Sequence, residues 1–145
     1  MTEPRPSLDE MWLSLLRPMA LRSTCPRRQV AAIITDEKGQ LLASGYNGVP
    51  SGIDHCIDVG CAGRHDPKGD TSRCVAVHAE QNALLQLGER VHRAHTMYVT
   101  CTPCFTCTKL ICNTPIRRIV FLEPYADASG FALLGKKGVK LIQAS

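Results

Sequence analysis

From residue 96 onward, short apolar runs alternate with segments of helical length. This alternation limits the available folds more than any other feature of the chain. Residues 96–100, 117–122 and 139–142 read as strands, with helices expected at 103–113 and 127–134 and Gly135 following the second. Strands joined by helical crossovers pair in parallel and are covered on both faces. Upstream, residues 29–35 and 41–46 flank the turn Asp36-Glu37-Lys38-Gly39 and read as a hairpin. Ser7-Leu8-Asp9-Glu10 has the S-x-x-E spacing of a capping box. Leu8, Met11, Trp12, Leu15, Leu16 and Met19 then recur at helical spacing, and Pro18 is expected to bend or end that helix. Residues 77–87, closed by Gly88, form another expected helix. The expected fold is an α/β, three-layer α/β/α sandwich built as one domain over residues 1–145. Its centre is a mixed sheet of about five strands with helices on both faces.

One stretch breaks the pattern. Residues 47–74 turn to Gly, Pro, Asp, His and Cys with no period, and an aperiodic loop that long is uncommon unless it is functional. Eight cysteines occur in the chain: Cys25, Cys56, Cys61, Cys74, Cys101, Cys104, Cys107 and Cys112. The opening residues Met1-Thr2-Glu3-Pro4-Arg5-Pro6 carry no apolar signal core, so metal binding or chemistry is expected of these thiols before disulfides. No apolar run approaches the roughly 20 residues that cross a bilayer, and a cytoplasmic protein without a membrane partner is expected. The net charge of +4 suits an anionic small ligand. With 5% aromatic residues, it falls short of a basic, aromatic-lined nucleic-acid channel, so no nucleic-acid partner is expected. Cys101 and Cys112, in strand and helix contexts, read as core.

Two helix starts concentrate the chemistry. The first is His78-Ala79-Glu80 and the second Pro103-Cys104-Phe105-Thr106-Cys107, each placed after an extended segment. Pro103 suits the first turn, where a missing N–H costs little. Cys104 and Cys107 share a helix face near its positive end, which lowers thiol pKa, and His78 can add a third ligand. Cys₂His with an open fourth position is a catalytic zinc arrangement, in which a water's pKa falls to about 7. Glu80 is the expected proton carrier. Residues two apart do not share a face on a regular helix, so His78 and Glu80 must sit where the helix begins. Alone, H-x-E usually marks polar surface, and C-x-x-C can be redox-active or structural. Combined as H-x-E…P-C-x-x-C, they form the signature of zinc nucleobase deaminases, with Glu shuttling protons.

On these residues the sequence resembles the cytidine deaminase superfamily and, within it, the deoxycytidylate (dCMP) deaminase family. The resemblance rests on Cys25-Pro26-Arg27-Arg28-Gln29-Val30, Gly45-Tyr46-Asn47-Gly48, His55-Cys56, Gly60-Cys61, Cys74, Val77-His78-Ala79-Glu80-Gln81-Asn82-Ala83, Tyr98-Val99-Thr100, the proline–cysteine motif and Glu123-Pro124-Tyr125. It implies hydrolytic deamination of dCMP to dUMP with release of ammonia, supplying dUMP for thymidylate synthesis. Asn47, the Ala79 backbone N–H and Tyr125 would bind the substrate, and Arg27 and Arg28 would meet its phosphate. In the family a second zinc clamps the long loop through cysteines at positions like Cys25 and Cys56. With Cys61 and Cys74, also unused by the catalytic site, they can complete a closed four-thiolate structural zinc site, with His55 able to replace one ligand. The alternative is that one or two of these cysteines are simply small buried side chains. The resemblance also implies dCTP and dTTP effectors, accompanied by magnesium, and a homo-hexamer. Ala31 stands where the family commonly has Gly, a change expected to tighten a nearby pocket wall.

Two alternatives stay open at this point. The enzyme could act on another cytosine nucleotide, dCTP or a 5-substituted dCMP, or on a nucleic-acid base. A zinc-stabilised binding module is the non-enzymatic reading, and it leaves Glu80 without a task.

Overall fold

Ser7 caps the first helix as its spacing predicts. In the computed structural model, which describes residues 3–61, 74–125 and 127–144, Ser7 Oγ accepts from the Glu10 N–H and Glu10 Oε2 accepts from the Ser7 N–H. Helix α1 (Leu8–Ala20) runs through Pro18 rather than stopping there. The donor that proline lacks falls in the last turn, where Leu21, Arg22 and Ser23 reach back to the carbonyls of Arg17, Met19 and Ala20 and complete the end.

Strands β1 (Ala31–Thr35), β2 (Leu41–Tyr46), β3 (Thr96–Cys101), β4 (Arg118–Glu123) and β5 (Lys140–Gln143) form a five-stranded sheet in the order β2-β1-β3-β4-β5. β1 pairs antiparallel with β2 and β3, whereas β3–β4 and β4–β5 are parallel. Alternate side chains feed two cores. Ala32, Ile34, Met97, Val99, Ile119 and Phe121 pack with α3 (Ala79–Leu87), α4 (Phe105–Cys112) and α5 (Phe131–Lys136). Ala31, Ile33, Tyr98 and Val120 pack under Leu16 and Ala20 of α1. The period-two pattern thus separates the layers, as strands buried on both faces require.

Three local features depart from the expectation. A one-turn helix, α2 (Cys56–Val59), interrupts the long loop, of which residues 62–73 lie outside the described part. A 3-10 segment, Gly88–Arg93, follows α3, and Gly88 closes that helix at φ +54°. Helix α5 begins at Phe131 instead of 127, because Asp127 Oδ1 accepts from both the N–H and the hydroxyl of Ser129 and holds a turn there.

Gly45 sets the distance between sheet and α3. A Cβ at this position would lie 2.6 Å from the Ala79 carbonyl oxygen and from the Ala83 nitrogen. Only glycine lets β2 come this close to the first turn of α3, which carries His78 and Glu80 at its head.

Candidate metal centre and substrate pocket

The N-termini of α3 and α4 converge beyond the carboxyl end of β3, the usual place for a ligand in an open α/β sheet. His78 is the N-cap of α3, with extended backbone (φ −70°, ψ 153°), so Ala79 and Glu80 are the first helical residues. This resolves the spacing problem: a ligand outside the helix and a carboxylate in its first turn need not obey helical periodicity. The His78 N–H donates to Gln81 Oε1 at 2.8 Å and fixes the cap. Cys104 caps α4 in the same way (φ −70°, ψ 172°), with Cys107 one turn on. Pro103 therefore sits one residue before the cap, not in the first turn.

His78 Nδ1 lies 3.2 Å from Cys107 Sγ and 3.4 Å from Cys104 Sγ. Among the described residues, these form the one group of three potential ligands whose donor atoms all fall within 4.8 Å of one another. Zinc bonds of about 2.0 Å to nitrogen and 2.3 Å to sulfur put tetrahedral N and S donors about 3.6 Å apart, so the trio needs only a small expansion to fit the ion. Its electrostatics agree. The Cys107 thiol donating to Cys104, together with His78, holds the Cys104 thiol down at about 4 against the opposing effect of burial. The hydrogen bond with Cys104 in turn pushes His78 up.

Glu80 is 5% exposed and, among the described residues, is the only carboxylate lining the adjacent cavity of about 430 Å³. Burial pushes its pKa up, partly offset by a hydrogen bond from its own backbone. A carboxyl whose pKa is raised, beside a group of potential metal ligands, is suited to taking a proton and returning it.

The same cavity is lined by Arg27, Arg28, Asn47, Ala79 and Tyr125, all five of the residues expected to bind substrate. Ala79 opens α3, so its N–H has no helical carbonyl to meet and remains a donor for a ligand. Asn47 is more occupied than expected. Its Oδ1 accepts from the Val30 N–H at 2.9 Å and its Nδ2 donates to the Arg28 carbonyl at 3.0 Å, which braces the Arg28–Val30 segment. The Arg28 guanidinium lies 4.3 Å from the centre of the Tyr125 ring.

Cys101 is buried, as its strand context predicts, and it also lines the cavity, where its sulfur accepts from Arg28 Nη2 at 3.2 Å. The register Met97, Val99, Cys101 aims it at the face covered by α3 and α4, a signal already present in the strand's alternation. Thr102, also missed, is buried in the cavity wall and accepts the Tyr125 N–H at 2.8 Å. Cys112 is half-buried at the margin of the core, since its end of α4 borders solvent. Ala31 faces the α1 layer, so its methyl group fills that core and leaves the pocket wall alone.

Cys25, Cys61 and Cys74 line the cavity, while Cys56 is buried at the start of α2. Burial pushes the Cys56 thiol up, and Cys61, Cys25 and Cys74 add to the effect through their charge. The four thiols are close enough to sense one another but more widely spaced than the histidine–cysteine trio. His55 caps α2 immediately before Cys56.

A model of the cytidine and deoxycytidylate deaminase zinc-binding region matches residues 6–123. The chain belongs to this deaminase family. Deoxycytidylate deaminase of Mycobacterium phage D29 is 37% identical over 123 residues, covering 81% of this chain and 95% of the phage protein. Deoxycytidylate deaminase of Saccharomyces cerevisiae is 36% identical over 146 residues and 97% of this chain, which spans only 46% of that relative. Among solved structures, the dCMP deaminase of cyanophage S-TIM5 in complex with dCMP and dUMP superposes with a TM-score of 0.78 at 26% identity, covering 98% of this chain and 100% of the phage chain. The mixed sheet is thus that of the cytidine deaminase-like fold, and the family's zinc-binding region contains the His78, Cys104 and Cys107 cluster.

Proposed function

We propose that this protein hydrolyses dCMP to dUMP and ammonia. The observation that carries the reading is a buried carboxylate, Glu80, set beside a Cys₂His trio in a cavity that also holds two arginines. The names of the relatives and the dCMP and dUMP in the phage structure support the same substrate.

His78, Cys104 and Cys107 would hold zinc, which when bound supplies Lewis-acid activation of water. Glu80 accepts a proton from the attacking water, carries it to N3 of the cytosine ring and then moves a proton to the departing amine. The Ala79 N–H orients the base carbonyl, Tyr125 walls the ring, Asn47 reaches the nucleotide with its remaining hydrogen-bond capacity, and Arg27 and Arg28 meet the phosphate. The proposal extends to a second zinc at Cys25, Cys56, Cys61 and Cys74, of which Cys25 and Cys56 match the family's positions, and by family resemblance to dCTP and dTTP as effectors with magnesium and to a cytoplasmic homo-hexamer.

A panel of dCMP, dCTP, CMP, deoxycytidine and 5-methyl-dCMP, read by ammonia release, tests the substrate. dCMP should give the highest kcat/KM. A clear preference for dCTP, for the 5-methyl nucleotide or for a base in a polynucleotide would replace the proposed substrate.

A further inference from the structure

We propose that Cys101 is a positioning residue for phosphate recognition, its sulfur holding the Arg28 guanidinium in the orientation in which it meets the nucleotide. The inference rests on the proposed dCMP reading and adds to it a residue outside the metal centre and the proton relay.

Arg28 is held at both its backbone and its side chain. Its backbone carbonyl accepts from Asn47 Nδ2 at 3.0 Å and from Ser23 Oγ at 3.2 Å. Its guanidinium packs 4.3 Å from the centre of the Tyr125 ring while Nη2 donates to Cys101 Sγ at 3.2 Å. Tyr125 is held in turn by Thr102, the residue after Cys101, whose Oγ1 accepts the Tyr125 N–H at 2.8 Å. The chain of contacts therefore closes on itself: Cys101, Arg28, Tyr125, Thr102. An arginine has five N–H donors in a rigid plane, and this arrangement engages Nη2 and one face, leaving other donors for an anion.

The physical gain is preorganisation. A flexible arginine must be ordered when it binds, and that cost reduces affinity, whereas one already immobilised meets the ligand without it. Cys101 is well suited to the task because it is a weak acceptor. It orients the guanidinium without neutralising its charge, as a carboxylate at the same place would. Burial also pushes the thiol up to about 11, so the sulfur remains neutral at physiological pH and leaves the arginine's full charge for the substrate. None of these roles requires Cys101 to touch the reacting ring.

The test compares dCMP with deoxycytidine, which lacks the phosphate, and dUMP with deoxyuridine as equilibrium ligands. Cys101→Ala should raise KM for dCMP and Kd for dUMP about 5- to 20-fold, at or below the loss expected for one hydrogen bond to a charged group, as befits a weak sulfur acceptor acting through Arg28. The two nucleosides should change less than about twofold, and zinc content should match the wild type. Cys101→Ser restores a small acceptor and should recover most of the affinity. In an Arg28→Met background the Cys101→Ala change should add nothing, because the group it positions is gone. Equal losses for nucleotide and nucleoside, loss of zinc, serine behaving as alanine, or an undiminished effect in the Arg28→Met background would each overturn the proposal. A wild-type protein that binds dUMP no better than deoxyuridine would instead remove the phosphate reading itself, and this role with it.

Discussion

At the scale of single residues, Glu80 shows how burial can make a carboxylate useful. Exposed glutamates near a helix start usually serve the helix dipole, but Glu80 is 5% exposed and sits beside three potential metal ligands. Replacing it with Gln keeps the shape and would remove the proposed proton relay. Glu80→Gln should lower kcat by about 10²- to 10⁴-fold, the usual contribution of a general acid–base group, while zinc content is unchanged. Because burial penalises the charged form, this variant should melt no lower than the wild type. Activity within about tenfold of wild type would remove Glu80 from the reaction. The motif itself was legible as a spacing of residue types. What spacing could not supply was the backbone: His78 and Cys104 are both N-caps with extended ψ, and only that geometry lets an i, i+2 pair serve one site. The cavity-lining position of Cys101 was not legible for a related reason. Its residue type and strand context point to burial, which the structure shows, but the fact that β3 ends at the pocket is a property of the assembled sheet.

Between elements, two contacts set the positions of the layers. Gly45 brings β2 against the head of α3, so Gly45→Ala forces either the strand or the helix backbone to retreat. Overpacking of this kind costs about 1–3 kcal/mol, and here the displaced turn contains Ala79 and Glu80. Gly45→Ala should therefore lower both the melting temperature and kcat; a variant that loses stability at full kcat would show that the strain relaxes away from α3. On the opposite face, α1 is tied to the sheet by Asp9. Its Oδ2 lies 2.7 Å from Arg118 Nη2, and its Oδ1 accepts from the Tyr98 hydroxyl at 2.6 Å. Burial pushes the Asp9 carboxyl up, but the bonds from Arg118 and Tyr98 and the Arg118 charge outweigh it, and the net direction is down from 3.8. A depressed folded pKa stabilises the protein above the unfolded value and loses that contribution as pH falls through the folded one. The melting-temperature gap between wild type and Asp9→Asn should hold from neutral pH to about 4, then close below it. The pair is partly exposed, so the ionic part should not exceed about 1 kcal/mol. A gap that persists unchanged into strong acid would mean that packing, not charge, ties the helix down.

At the scale of the whole molecule, the sheet was readable because buried strands write themselves as apolar runs, and each of the five strands falls within a residue or two of its expected place. The long loop was not readable, since a segment without periodicity carries no such pattern. The one-turn α2 is too short to show a helical repeat. What remains visible there is the placement of thiols: Cys56 and Cys61 buried, Cys25 and Cys74 half-buried. A long loop pays a large conformational cost to hold its shape, and buried thiols alone return little of it. A metal joining them would supply the difference, and it would do so in the wall of the cavity beside Glu80, since three of the four line it. Metal analysis of the purified protein should accordingly find two zinc ions per chain, and Cys56→Ser should reduce this to one. Apparent structural zinc affinities reach about 10–16 kcal/mol in small peptides, so the variant should melt about 10 °C lower or more. Cys56 lies behind the cavity wall, so the loss should appear first in stability and only secondarily in KM. Parental melting together with one zinc in both proteins would mean that packing around α2, and no second metal, shapes the loop.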